Sequence, residues 1–330
     1  MEKLNFLNIG INEQTGQISL LELQLRLLLS VLKALKKKNK KIDPSKQYNK
    51  ETLYAILYNI YNHVGQISNT GERSEITFNT WGFSSNKLQL DLDKEDGQIF
   101  GKTSYAMYFE YEIVKRYLSQ LGSTPPIVVE LGCGNGGGAY LIKTQIITNC
   151  IYKAYDMQKS AIDSARSLHE CKGLTFYHKN ASNTELNPNS VNIVIANETD
   201  FQGNDKFDLW NEVVRIVKPK GLYVTGNFLV KNDKEGMIQH FSKNNMELVE
   251  IHDWSKESII ARDLDVCRLE RFKTEMFKIL RVFKLPILGK KYKTIVETWL
   301  DEWLRMPGTI LYNNIVEGKE QYLQMVFQKS

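Results

Sequence analysis

Three groups of residues in this chain have the types and spacing of a ligand site. The first is Glu130-Leu131-Gly132-Cys133-Gly134-Asn135-Gly136, a carboxylate followed by glycines two, four and six positions on. Glycines admit positive φ and let backbone N–H groups approach a ligand with no Cβ in the way. The spacing is not that of the dinucleotide turn, and no Lys-Ser or Lys-Thr follows, so a nucleoside triphosphate is disfavoured. The second group is Asp156 with Met157, about twenty residues past the glycines, where a carboxylate can accept hydrogen bonds from both hydroxyls of a ribose. The third is Asn197-Glu198-Thr199-Asp200, where either acid could take or orient a proton of a reacting hydroxyl, or Glu198 could instead cap the next helix or order the loop.

Positioning these groups requires parallel strands that all end at one edge. Val128, Val129 and Leu131 form a first strand that runs into the glycine turn, with a helix continuing through Tyr140, Leu141 and Ile142. A second strand over Ile151–Tyr155 delivers Asp156, and a third, Leu174–His178, delivers Asn180 and Ala181. A fourth, Val191–Ala196, delivers Asn197 and Glu198. A helix over Asp205–Val217, the turn Lys218-Pro219-Lys220-Gly221 and a fifth strand Leu222–Phe228 follow. Strand six is expected at Glu247–Trp254 and the last strand at Gln321–Gln328. Ligands of such open α/β sheets bind at the carboxyl ends of the strands.

The glycine turn, Asp156, Asn180 and the Lys-Pro-x-Gly turn, in this order, resemble class I S-adenosylmethionine (SAM) methyltransferases. The resemblance implies a Rossmann-like α/β fold with a seven-stranded sheet whose last strand is antiparallel. It also implies SAM as cofactor, with Glu130, Gly132, Cys133, Gly134, Gly136, Asp156, Met157, Asn180, Ala181 and Asn197 around it. In that family the place of Asn180 often holds an Asp that binds the adenine amine; the amide oxygen of Asn180 can still accept from it. Cys133 reads as a small loop residue, since nothing near it in sequence would activate it as a nucleophile. Together with Asn197-Glu198-Thr199 and the tail Pro307-Gly308-Thr309 … Tyr312 … Gly318 … Tyr322 … Lys329, the glycine loop looks like phthiotriolone-type and related natural-product methyltransferases. Sterol 24-C- and ubiquinone C-methyltransferases resemble it less. The family's histidine after strand four is missing here, so no histidine base carries over at that place.

The 330 residues exceed the roughly 200 that such a core needs, so additions flank it. The expected organisation is a leucine-rich helix and basic linker over 1–48, a helical cap over 49–124, the SAM-binding core over 125–256, a helical lid over 257–318 and the last strand over 319–330. In the first part Leu21, Leu25, Leu28, Leu32 and Leu35 make one apolar stripe, and Lys36, Lys37, Lys38, Lys40 and Lys41 follow. That stripe could pack within the domain or form a homodimer, or with its lysines rest on an anionic membrane surface. In the cap, Trp81 in Phe78-Asn79-Thr80-Trp81-Gly82-Phe83 is a candidate to face the cofactor or the substrate entrance, or else an ordinary core aromatic. His63 on a cap helix could reach the pocket or be structural. The insert before the last strand, more than sixty residues long, reads as helices over Val266–Phe283 and Tyr292–Arg305 with a break at Leu285-Pro286-Ile287-Leu288-Gly289.

The net charge of +5 is matched by the lysine cluster alone, leaving a near-neutral core, which disfavours a nucleic-acid substrate. Four cysteines without C-x-x-C spacing, and no secretory signal before them, favour reduced thiols and a cytoplasmic location. No metal is called for. Asn197-Glu198-Thr199-Asp200 lacks the Pro-Pro-aromatic sequence that the resemblance associates with methylation of base amines or amides. The expected acceptor is therefore a partly hydrophobic small molecule: a polyketide, phenol, isoprenoid or lipid-like metabolite. Oxygen is the first choice of acceptor atom, with Glu198, Asp200 or His63 as the catalytic candidates. C-methylation of an isoprenoid or keto-acid acceptor, and a SAM-binding assembly subunit without catalysis, are the alternatives.

Overall fold

The computed structural model describes residues 125–169, 171–199, 206–279 and 288–330. The leucine stripe, the lysine cluster, His63, Trp81 and Asp200 lie outside these residues, as does the break at 285–287.

The strands are β1 (Ile127–Leu131), β2 (Ile151–Asp156), β3 (Leu174–His178), β4 (Val191–Asn197), β5 (Val217–Leu229), β6 (Met246–Asp253) and β7 (Gln321–Lys329). They form one seven-stranded sheet in the order β3-β2-β1-β4-β5-β7-β6. β7 is antiparallel to both β5 and β6, while the pairs from β3 through β5 are parallel. This is the Rossmann-like class I methyltransferase fold. β1 and β4 are apolar on both faces because helices cover both sides of a parallel sheet. One core packs Val128, Tyr152, Ala154, Ile193, Ile195, Val224 and Val326 beneath the helices that follow β1 and β2. The other packs Val129, Val194, Tyr223, Met325 and Phe327 against Trp210 and Phe241.

Helix α1 (Gly137–Leu141) follows the glycine turn and continues as a π-helical turn over Ile142–Ile146. Then come α2 (Lys159–Leu168), α3 (Lys206–Ile216) and α4 (Lys231–Lys243). The expected Lys218–Gly221 turn is instead absorbed into β5 as an irregularity. The register jumps from Val191↔Val217 to Ile193↔Leu222, so the four residues loop out within one strand. Lys220 takes φ 63°, and a Cβ on Gly221 would stand 2.8 Å from the Lys218 carbonyl.

The insert contains α5 (Ser255–Ile279), α6 (Leu288–Trp303) and α7 (Ile310–Val316). α5 begins directly after β6, eleven residues earlier than the sequence reading placed it, and α6 includes Leu288 and Gly289 of the expected break. α7 was not foreseen, and it explains the tail pattern. Thr309 is its N-cap, accepting from the Tyr312 N–H, and Glu302 accepts from the Ile310 and Leu311 N–H groups at 2.9 and 3.2 Å. Gly318, at φ 70°, closes it by donating to the Ile315 carbonyl. Lys273 joins α5 to α6 through Asp301 at 2.6 Å, and Tyr312 joins α7 to α5 through Asp263 at 2.7 Å. The insert leaves and rejoins the sheet at one point. The Trp254 N–H donates to the Tyr322 carbonyl, and the Tyr322 N–H to Ser255 Oγ. Both roots therefore stand at the carboxyl ends of β4 and β5.

Candidate functional site

The strand order reverses between β1 and β4, which places a crevice outside their carboxyl ends. At the mouth of that crevice the Gly132 and Cys133 N–H groups both donate to the Tyr155 carbonyl, at 2.8 and 2.9 Å. Two glycines here have no substitute. A Cβ on Gly132 (φ +77°) would stand 2.2 Å from Thr199 Oγ1, so the loops after β1 and β4 meet at this residue. A Cβ on Gly136 (φ +79°) would stand 2.6 Å from the Phe176 ring and 2.9 Å from Ala165. Gly136 is also the left-handed N-cap of α1, and its N–H returns to the Cys133 carbonyl.

Asp156 fixes this turn to the second strand. Its Oδ2 accepts from the Gly134 N–H at 3.0 Å and its Oδ1 from the Gln158 N–H at 2.7 Å. Burial pushes the carboxyl above its usual range, while the two backbone N–H groups and His178 pull the other way. Each oxygen keeps a lone pair after these bonds. Met157 beside it is largely exposed, and Asn180 is exposed on the neighbouring strand end. Asn180 Oδ1 accepts from the Ser182 N–H at 2.9 Å and closes a local turn, with Ala181 half-buried between them.

Glu130 stands apart from the loop it precedes. Its buried carboxylate accepts from the Tyr152 hydroxyl at 2.8 Å, on the same face of the sheet as Val128 and Ala154. Cys133 is buried, and burial, with Asp156 and Glu130 nearby, drives its thiol well above the usual value. Burial thus disfavours the thiolate, the nucleophilic form of the side chain.

Asn197 ends β4, buried, with its carbonyl accepting from Thr199 Oγ1. Glu198 follows at φ 52°, its N–H donating to the Gly226 carbonyl at 2.7 Å. A non-glycine residue at positive φ is uncommon and marks a constrained position. Glu198 Oε1 accepts from the Tyr322 hydroxyl at 3.0 Å, across 124 residues of sequence. Tyr322 is fully buried and stacks on Phe228, with centroids 4.2 Å apart. The Arg305 guanidinium lies 3.8 Å from the Phe228 ring centroid and reaches Glu320 at 3.0 Å. A continuous stack thus runs from the end of α6 through Phe228 and Tyr322 to the carboxylate after β4. Sequence reasoning singled out Glu198 but assigned no role to Phe228 or Arg305, and used Tyr322 only as part of a tail pattern. The pairing of β5 with β7, Phe228↔Tyr322, is what joins them.

Sheet order, glycine turn and acidic strand ends together define a class I methyltransferase fold with its ligand crevice at the carboxyl edge. The chain belongs to the family described as "Methyltransferase domain", whose model matches residues 126–298. Among curated proteins it resembles the phthiotriol/phenolphthiotriol dimycocerosates methyltransferase of Mycobacterium tuberculosis, 25% identical over 160 residues, 48% of this chain and 56% of that protein. It also resembles the fatty-acid O-methyltransferase of Mycolicibacterium smegmatis, 30% identical over 99 residues, 29% of this chain and 35% of that protein. The matches thus span about half, or less, of the length of these relatives. Among solved structures, the cyclase SpnF aligns with TM-score 0.56 at 13% identity over 85% of this chain and 95% of its own. A putative sarcosine dimethylglycine methyltransferase from Galdieria sulphuraria aligns with TM-score 0.55 at 13% identity over 83% of this chain and 98% of its own. These likenesses are of fold. That one of them is named a cyclase shows why the reaction must be argued from the site.

Proposed function

We propose that the chain binds SAM at the carboxyl ends of β1, β2 and β4 and methylates an oxygen of a partly hydrophobic small molecule. The residues fit the cofactor. Gly132 and Gly136 let the turn pack against Thr199, Phe176 and Ala165, where any side chain would clash, and this close packing holds the turn at the strand ends. Asp156 is locked onto that turn with lone pairs left for ribose hydroxyls. Gly132, Cys133, Gly134 and Gly136 would hold the methionine part by backbone, with Asn197 beside it. Met157, Asn180 and Ala181 would border the adenine. Glu130 supports the loop from beneath through Tyr152, and Trp81 remains the proposed aromatic neighbour.

When bound, SAM supplies a methyl group already activated on a sulfonium. The protein's part is then to position the acceptor, exclude water and receive one proton. A hydroxyl acceptor loses its proton as the new carbon–oxygen bond forms. Glu198 accepts that proton, held in place by its positive-φ backbone and by the Tyr322 hydroxyl. Asp200 and His63 are the further candidates for the role. The insert rooted at Trp254 and Tyr322 walls the acceptor side.

The observation that carries this reading is the Tyr322–Glu198 hydrogen bond at the strand ends, because it fixes a carboxylate where the loops after β1 and β4 meet. The similarity to a fatty-acid O-methyltransferase supports a lipid-like acceptor and oxygen chemistry. Calorimetry with SAM and S-adenosylhomocysteine (SAH), followed by methyl transfer from labelled SAM to a panel of hydroxylated and carboxylated lipids and phenols, tests it. Binding of neither compound sinks the reading. Binding with a methyl group that resides on carbon in the product overturns the oxygen assignment alone.

A further inference from the structure

The sheet face that carries Glu130 and Tyr322 also carries Gln324. Cross-strand register aligns Asn197 with Gly226, Gly226 with Gln324, and Gln324 with His252, so one row crosses β4, β5, β7 and β6. It lies one step below the row of Phe228 and Tyr322. Gln324 is fully buried. Its Oε1 accepts from the Trp254 indole N–H at 2.9 Å, and an indole N–H can only donate, so the orientation of the amide is fixed. Its Nε2, with two N–H donors, has no hydrogen-bond partner among the described residues. Buried amide donors without a partner are rare in folded proteins. This one sits two residues along the strand from Tyr322, beside a glycine that leaves its own place in the row without a side chain.

We propose that Gln324 is a positioning residue for the acceptor, its Nε2 donating to a carbonyl or hydroxyl oxygen near the atom that is methylated. This rests on the function proposed above and sharpens it. The acceptor then carries at least two oxygen functions, one at Glu198 and one at Gln324, as a hydroxylated ketone or acyl thioester does and a simple alcohol does not. The amide N–H has no partner among the described residues, and the substrate would satisfy it. A site built to hydrogen-bond an oxygen rejects the analogue lacking it, because the buried donor is then left unpaired.

Two measurements on the full chain test this. The first needs no acceptor. Trp254→Phe removes the one described bond of the Gln324 side chain, and Gln324→Leu is then made in that background. An unsatisfied amide predicts that the second substitution raises the thermal midpoint by about 2 °C or more. A fall of that size, or no change, shows the amide to be satisfied in the free protein and overturns the proposal. The second compares methyl transfer to a β-hydroxyacyl thioester with transfer to the matching chain alcohol without the carbonyl. Gln324→Leu is expected to lower kcat/KM about tenfold to hundredfold more for the thioester than for the alcohol. Equal losses on both overturn the assignment. SAH affinity of each variant stays at the wild-type value if Gln324 acts on the acceptor. Absence of SAH binding in the wild type would instead remove the proposed function, with the stability result still standing.

Discussion

Replacing Gly136 by alanine separates two costs that the structure predicts for the cofactor turn. At φ +79° an alanine pays the left-handed penalty of about 1–2 kcal/mol. Its Cβ would also stand 2.6 and 2.7 Å from Phe176 ring atoms and 2.9 Å from Ala165, all in a buried cluster that resists displacement. Overpacking of that kind adds about 1–3 kcal/mol. The expected loss is about 2–5 kcal/mol, read as a lower urea midpoint with unchanged slope. Gly318→Ala is the internal control. It also has positive φ, but nothing lies within 4 Å of its would-be Cβ, so only the backbone part of about 1–2 kcal/mol is expected. Phe176→Ala supplies the second control by removing the ring while the Ala165 contact stays. In that background Gly136→Ala should cost less than in the wild type, and the difference is the coupling energy. Equal cost of Gly136→Ala in both backgrounds would refute the steric account. A loss no larger than that of Gly318→Ala in the wild-type background would refute it too.

Tyr322→Phe keeps the stack on Phe228 and removes the bond to Glu198, so SAH binding should persist while kcat falls about tenfold; unchanged kcat would remove Glu198 as a tyrosine-positioned base. Asp156→Asn should weaken SAH binding strongly. Because burial raises the folded carboxyl of Asp156, its ionisation opposes folding from the unfolded pKa upward, so the variant should show a smaller stability loss than the wild type as pH rises above about 4; a larger loss by urea titration contradicts this. Glu212 has the opposite sign: burial works to raise its pKa, but hydrogen bonds from Arg215 and Thr184 outweigh it and hold the carboxyl below the usual value. Its stabilisation is present at neutral pH and lost as pH falls through the folded value, so Glu212→Gln should cost about 1.5–3 kcal/mol at pH 7 and progressively less below pH 4. Gly236→Ala, in the interior of α4 with nothing within 4 Å of the added Cβ, should stabilise by about 0.5–1 kcal/mol in the same assay.

The core was legible because its signals are local. Val128–Leu131, Ile151–Asp156, Leu174–His178 and Val191–Asn197 are short apolar or β-branched runs, each bounded by glycine or polar residues, and each became a strand within a residue of its expected limits. The Lys218–Gly221 stretch carries the same turn chemistry, yet pairing with β4 on either side drew it into a strand. α5 begins at Ser255, where the Trp254–Tyr322 and Ser255–Tyr322 bonds anchor its first turn and Asp253 accepts from the Ser255 N–H at 3.0 Å, a start signal the sequence reading passed over. The side of Asp156 that meets Gly134 could be guessed from their separation, whereas the Glu130–Tyr152 bond could not, since both residues lie inside strands.

The sequence by itself determined the parallel sheet, the bare glycine turn and the acidic strand ends, because apolar periodicity and glycine placement act over a few residues. Only the tertiary structure decided which side chains meet around Glu198. Tyr322, with Phe228 and Arg305 stacked behind it, comes to that place because β7 inserts between β5 and β6, bringing the end of the chain beside a carboxylate more than a hundred residues earlier. Register across a sheet sets such neighbours, and no spacing along the chain encodes it.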